Sequence, residues 1–291
     1  MIQGEWRLDR RKFLKRLAVG VLGVGALSTI DGFLVEPRIP VIERVTVRLR
    51  RLPEAFHQFR LVVMGDFHFG PWIGESQIEH AVRLALSLRP DLTVFTGDFV
   101  SHPLFKPDGP AGAKHADPCG KILRQLTGSQ VVGVLGNHDH WNGADAVEEI
   151  LKTHQIPILR NRSIPIERNG QRIWLVGVDD VFEEANDLGK ALEGVPSEEM
   201  RIVAVHEPDF ADVVTRHGVD LQLSGHSHGG QVWIPDYGAP ILPELAQKYP
   251  RGLYQVGNLQ AYTNRGIGMV APPVRLNCPP EVTLITLVAG T

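Results

Sequence analysis

Five apolar stretches of this 291-residue chain each run straight into a short block of Asp, His and Asn. Leu61–Met64 leads into Gly65-Asp66-Phe67-His68, and Leu92–Thr96 into Gly97-Asp98. Val131–Leu135 leads into Gly136-Asn137-His138-Asp139, and Arg201–Val205 into His206-Glu207-Pro208. Asp220–Leu223 is followed by Gly225-His226-Ser227-His228-Gly229-Gly230. Short apolar runs closed by glycine read as buried strands. Helical stretches separate them: Glu75–Arg89, with Ile78, Val82 and Leu86 one helical face apart, a short helix near Cys119–Leu126, and Ala144–His154. Strand and helix in alternation predict an α/β fold with a parallel core. Ligands of such folds bind at the carboxyl ends of the strands. The five polar blocks are therefore predicted to meet on one rim.

Further strands are expected at Val45–Leu49 and Arg172–Val178. The Pro- and Gly-rich β texture after Gly230 predicts a second sheet packed on the first. Residues 100–118 read as one long loop, which in a compact domain is usually functional or mobile.

Composition narrows the function. Hydrophobic residues make up 43% and charged residues 22%, which is globular. No uncharged apolar run reaches the roughly 20 residues of a membrane span, so a polytopic membrane protein is excluded. Two cysteines, Cys119 and Cys278, exclude a disulfide scaffold or a Cys-rich zinc module. They read as a disulfide pair or as two buried thiols. The formal net charge is −3, so no specific nucleic-acid partner is indicated.

The blocks offer seven candidate metal ligands: Asp66, His68, Asp98, Asn137, His206, His226 and His228. In extended chain, residues i and i+2 point to one side, so Asp66 with His68, and His226 with His228, are each expected to reach one point. Nitrogen and oxygen donors without sulfur suit Mn, Fe, Zn or Ni. Seven ligands are too many for one tetrahedral ion with an open position, and fit two ions sharing a carboxylate.

In order and spacing, D-x-H, G-D, G-N-H-D, a lone His after a strand and G-H-x-H resemble the signature of the calcineurin-like metallophosphoesterases over roughly residues 58–290. The run Gly225–Val232 and the later Asn264-Arg265-Gly266-Ile267-Gly268 resemble a bacterial branch. That branch holds twin-arginine-exported envelope phosphoesterases and relatives that hydrolyse UDP-2,3-diacylglucosamine. The resemblance implies a four-layer α/β/β/α sandwich, two mixed sheets flanked by helices, with the metal site at strand carboxyl ends. It implies two divalent ions, Mn, Fe or Zn. Asp66, His68 and His228 would hold one ion, Asn137, His206 and His226 the other, and Asp98 would bridge them. It implies hydrolysis of a phosphate-ester substrate, most simply a phosphodiester, by a metal-bridging hydroxide. His138 would be the general acid and Asp139 would orient its ring. One departure is that Asp98 is followed by Phe99, Val100 and Ser101, where many members carry a second Asp three residues on. Two other readings stand beside this one. A UDP-2,3-diacylglucosamine-type pyrophosphate hydrolase would need an anchor with the site on the cytoplasmic face, because sugar nucleotides are cytoplasmic. A non-catalytic scaffold of this fold usually lacks the His of G-N-H-D, whereas His138 is present.

The remaining histidines carry less. His140 and Trp141 line the pocket or simply pack. His102 and His115 fall in the long loop and read as solvated. His57, His80, His154 and His217 read as surface residues. Arg265 is a phosphate contact or a structural ion pair.

The N-terminus reads as an address. Residues 1–16 hold six basic and two acidic side chains, followed by fourteen uncharged residues, Leu17–Ile30. That stretch is Gly-rich and too short to span a bilayer. Arg10-Arg11-Lys12-Phe13-Leu14-Lys15 resembles the twin-arginine export motif, with Asp9 where Ser or Thr is commoner. The expectation is residues 1–30 as signal or anchor, 31–57 as linker and first strand, and 58–291 as the catalytic domain. The partners implied are the twin-arginine machinery and the cell envelope, with membrane or cell-wall association.

Overall fold

A computed structural model describes residues 10–101, 109–126 and 128–290. Eleven strands form two mixed sheets among these residues. The first sheet holds β1 (Val41–Leu49), β2 (Phe59–Met64), β3 (Leu92–Phe95) and β4 (Gln130–Gly133). The second holds β5 (Arg162–Arg168), β6 (Gln171–Gly177), β7 (Arg201–Ala204), β8 (Leu221–Ser224), β9 (Gly252–Val256) and β10 (Leu259–Thr263). The last strand, β11 (Glu281–Ala289), returns to the first sheet. It is inserted parallel to β1 and antiparallel to β2, giving the order β1-β11-β2-β3-β4. The second sheet runs β5-β6-β7-β8-β10-β9.

Period-two alternation explains the layers. On β2, Val62 and Met64 face the helices, while Leu61 and Val63 face the second sheet. Between the sheets, Leu61, Val63, Leu92 and Val94 pack against Leu175, Ile202, Leu221 and Leu223. The first sheet's outer face is covered by three helices beyond the N-terminal α1 (Arg10–Ile30). They are α2 (Glu75–Ser87), α3 (Ala116–Leu123) and, past the short α4 (Asn137–Trp141), α5 (Ala144–Thr153). The second sheet's outer face is covered by Leu188, Ala191, Phe210, Ala211 and Val214 from short helical turns. This is the four-layer α/β/β/α sandwich with two mixed sheets.

Several local expectations change. Leu86 is 43% exposed, and the buried face of α2 is Ile78, Ala81, Val82 and Ala85. The i, i+4, i+8 row drifts off the contact face, and small alanines let the helix lie close to α3. The strand β5 was not apparent from the sequence. It is an edge strand whose Pro165 is tolerated there. The tail after Gly230 does not build the second sheet by itself: β5–β8 precede it, and β11 belongs to the first sheet. The stretch 100–118 is not one loop. Residues 109–115 form 3-10 turns that lead into α3, with Ala113, Ala116 and Cys119 buried. His102 and residues 103–108 lie outside the described residues.

His154 is not a surface residue: it is buried, and its Nε2 lies 2.9 Å from Asp117 Oδ1. Both cysteines are buried free thiols. Residues 31–38 do not hang free as a linker. The carbonyl of Gly32 accepts the Arg275 amide at 2.9 Å, and Glu36 accepts the amides of Asn277 and Cys278. Among the described residues, no helix is long and apolar enough to cross a membrane.

Candidate metal centre

The carboxyl ends of β2, β3 and β4 in one sheet and of β7 and β8 in the other point to a common edge. All seven candidate ligands are buried there. Asp66, His68 and His228 bring ligand atoms together, as do Asp66, Asp98 and His206. Asp98 Oδ2 lies 3.2 Å from His206 Nε2 and 3.4 Å from His68 Nε2, between the two groups. Asn137 Oδ1 lies 3.1 Å from His226 Nδ1, and the rings of His206 and His226 are 4.9 Å apart. His68, Asp98 and His138 form a third close group.

The convergence is not produced by extended chain. Asp66, His68, Asp98, His226 and His228 have φ of 48°, 46°, 55°, 66° and 51°, the left-handed region. The three blocks that hold them are tight turns rather than strand extensions. In the last of them His226 turns toward Asn137, while His228 turns toward His68 and Asp66. The expectation that His226 and His228 reach one point is therefore corrected: they serve opposite halves of the site. The preceding glycines serve mainly for close approach. A Cβ on Gly136 would lie 2.7 Å from the His206 ring and would also strike Asp98 Oδ1.

The donor set fits divalent cations. His206 Nδ1 donates to the Thr96 carbonyl at 2.7 Å, so Nε2 is the nitrogen left for a metal. That Nε2 is buried without a hydrogen-bond partner, as is Asp66 Oδ2. His226 Nε2 donates to the Glu244 carbonyl at 2.9 Å, which leaves the Nδ1 lone pair facing Asn137 Oδ1. A ring nitrogen fixed by a carbonyl, with the other free, is the arrangement of metal-bound histidine. His68 Nε2 and His228 Nε2 face each other at 2.9 Å.

Burial holds His68 and His228 well below the usual histidine range, so both are neutral and able to ligate. Burial, with His206 nearby, lowers His226 to about 3. Burial and the Asp98 charge push Asp66 up to about 7, even against the pull of His206. Asp98 would be raised by burial too, but His206 and His138 outweigh this and hold it ionised. His206 is raised well above the ordinary histidine value, because the Asp98 and Asp66 charges outweigh its burial, so the buried acids already hold a positive charge beside them that a bound cation would replace.

Asp139 is engaged by the backbone of two segments. Its carboxylate accepts the amides of Asp98 and Phe99, both at 2.8 Å, of Gly136 at 3.1 Å and of Val100 at 3.2 Å. It locks the turn after β3 to the start of α4. His138 is half-buried, its ring 4.5 Å from that of His68 and 4.7 Å from that of Trp141.

The chain matches the family model of calcineurin-like phosphoesterases over residues 59–230. It is 32% identical over 288 residues to the uncharacterized metallophosphoesterase YkuE of Bacillus subtilis, covering 97% of this chain and 98% of that relative. This chain is a calcineurin-like metallophosphoesterase. The metallophosphoesterase is also 29% identical to phosphodiesterase YaeI of Escherichia coli, over 97% of this chain and 100% of the relative. It is 31% identical to a bovine transmembrane protein with metallophosphoesterase domain, over 97% of this chain and 65% of that protein. Membership makes phosphoric ester hydrolysis with divalent metal the chemistry of this fold.

Supporting residues of the metallophosphoesterase were not read from the sequence. Glu207 accepts the amides of Val181 and Phe182, both at 3.1 Å, and so places Phe182 on the cavity wall. Asp179 lies 2.8 Å from His140 Nε2 and 2.7 Å from Arg160 Nε. The Asp179-Asp180 pair after β6 was a visible signal, since it repeats the strand-then-acid pattern of the ligand blocks. Of His140 and Trp141, only Trp141 lines the cavity. Arg265 pairs with Glu281 and Glu43.

Proposed function

We propose that this metallophosphoesterase is a binuclear-metal phosphodiesterase that works in the cell envelope after twin-arginine export. The observation that carries the binuclear reading is Asp98 Oδ2, which lies between His206 and His68 from opposite halves of the site. Asp66, His68 and His228 would hold one ion and Asn137, His206 and His226 the other, with Asp98 shared. When bound, such ions supply Lewis-acid activation of water and neutralise charge that grows on the phosphate.

The chain's own residues do the rest. Asp98, held ionised, and neutral His68 and His228 keep the donor set ready. The Thr96 and Glu244 carbonyls fix the ring orientation of His206 and His226. His138 lines the inner end of the cavity, outside the two ligand triads, where its ring can protonate the leaving oxygen as the ester bond breaks. Water's hydroxyl goes to phosphorus and a proton goes to the leaving alcohol, so no covalent intermediate is needed. Support for the diester comes from the relative named as a phosphodiesterase. Support for export is the run Arg10-Arg11-Lys12-Phe13-Leu14-Lys15 before an uncharged stretch.

Manganese-loaded protein is expected to hydrolyse bis(p-nitrophenyl) phosphate in preference to p-nitrophenyl phosphate. The reverse preference would contradict the diester assignment. His138→Ala is expected to lose about 100-fold or more in kcat while retaining its metal. Full activity in that variant would remove the general acid.

A further inference from the structure

From the metal centre a cavity of about 420 Å³ runs outward, and its lining changes character abruptly. At its inner end stand Asp98, Asn137, His138, His226 and His228. Its outer walls are Phe182, Val232, Ile241, Leu242, Val270 and Val274, with prolines between them. Among the described residues, no charged side chain lines those outer walls. The two polar residues there, Ser227 and Gln231, are already engaged. Ser227 Oγ accepts the Gly229 amide at 3.0 Å. Gln231 Nε2 donates to the carbonyls of Val270 at 3.2 Å and Pro272 at 2.9 Å, and its Oε1 accepts the Val270 amide at 2.7 Å. The amide thus clamps the wall instead of facing a ligand. A sugar or a base hydrogen-bonded at its edges would find almost no side-chain partner here, and its polar groups would lose water without replacement.

Resting on the phosphoesterase reading above, we infer that the outer cavity is a subsite for an apolar chain, so that the substrate is a phosphate ester carrying an alkyl or acyl group. The volume lies in the range of small-molecule sites, roughly 300–1,000 Å³. The surroundings agree. Ile241, on the cavity wall, is 78% exposed. Residues 31–38, which carry exposed Phe33, Leu34 and Val35, pack against the same 274–278 segment that contributes Val274 to the wall. An apolar-rimmed opening of this kind suits a substrate taken from a lipid surface or a micelle.

The test uses p-nitrophenyl alkyl phosphates of increasing chain length, kept below their micellar concentration, with the manganese-loaded full chain. Affinity for the matching alkylphosphonates is measured by calorimetry, which needs no turnover. Each added methylene is expected to raise kcat/KM and phosphonate affinity about fourfold until the cavity is full. In the double variant Ile241→Asp, Leu242→Asp, the ratio of long-chain to short-chain values within that variant is expected to fall at least tenfold. Chain-length independence in both series would overturn the apolar subsite and leave the phosphodiesterase reading standing. Chain-dependent phosphonate binding without hydrolysis of any diester would support the subsite and overturn the diesterase. A monomeric long-chain ester that gains nothing, while the same ester in vesicles is cleaved faster, would also overturn the subsite, since surface adsorption alone explains it.

Discussion

The ligands themselves hold the unusual backbone. Five of the seven lie in the left-handed region, which costs a non-glycine residue about 1–2 kcal/mol. Such strain persists at sites where surrounding contacts over-determine the turn. Here those contacts include the amide of His226 on Asp66 Oδ1 at 2.9 Å and the amide of His138 on Asp98 Oδ1 at 2.9 Å. Gly136→Ala places a methyl group against the His206 ring and Asp98. It is expected to lower metal affinity by more than tenfold and stability by about 1–3 kcal/mol, read by metal titration and urea unfolding. Unchanged metal affinity would show that the ring and carboxylate move aside freely. The identities of these residues were legible in the sequence, because five blocks recur after apolar runs. Their directions were not. Strand alternation assigns sides by parity, and a left-handed residue breaks parity at the ligand itself.

At the level of elements, the turn after β3 and the N-terminus of α4 are joined through one carboxylate. Asp139→Asn replaces an acceptor oxygen by an amide group that faces N–H donors. It is expected to cost about 2–4 kcal/mol in urea unfolding, because at least one buried amide loses its partner. A residue that only oriented the His138 ring would instead lower activity with stability unchanged. Burial and the nearby Asp98 charge raise Asp139 to about 7, though the four amides favour its ionised form. A carboxyl group whose value is raised on folding favours the folded state while protonated, so this contribution is complete below the ordinary carboxylate value and is lost as pH rises from there to about 7. The sequence showed α2 but misjudged its face, since alanine marks close packing as well as leucine does. It hid β5, whose side chains alternate at an exposed edge with a proline inside. It could not say that β11 returns to the first sheet, because strand order depends on contacts far apart in sequence.

Across the whole molecule, the metal centre is a seam. Asp66, Asp98 and Asn137 come from the first sheet, and His206, His226 and His228 from the second. Cations bound there tie the two sheets. Manganese at 100 times its dissociation constant is expected to add about 2.7 kcal/mol to stability, and a chelator to remove it, measured by thermal unfolding. Identical unfolding with and without metal would deny the seam. A second tie lies at the rim, where His140 of α4 meets Asp179 after β6. Burial alone would lower His140, but its hydrogen bond to Asp179 and that residue's charge raise it. Its contribution is thus complete below the ordinary histidine value of about 6.5 and is lost as pH rises through the raised value. Wild type is expected to exceed His140→Gln by about 1 kcal/mol at low pH, with the gap closing at alkaline pH. A gap that widens with pH would reverse the assignment.

A binuclear centre requires Asp98 to be shared by two cations. Elemental analysis of the manganese-reconstituted full chain beside Asp98→Asn tests it most directly. About two ions per chain are expected for wild type, with at least one lost in the variant. A single ion in wild type, or two retained tightly without the Asp98 carboxylate, would contradict it.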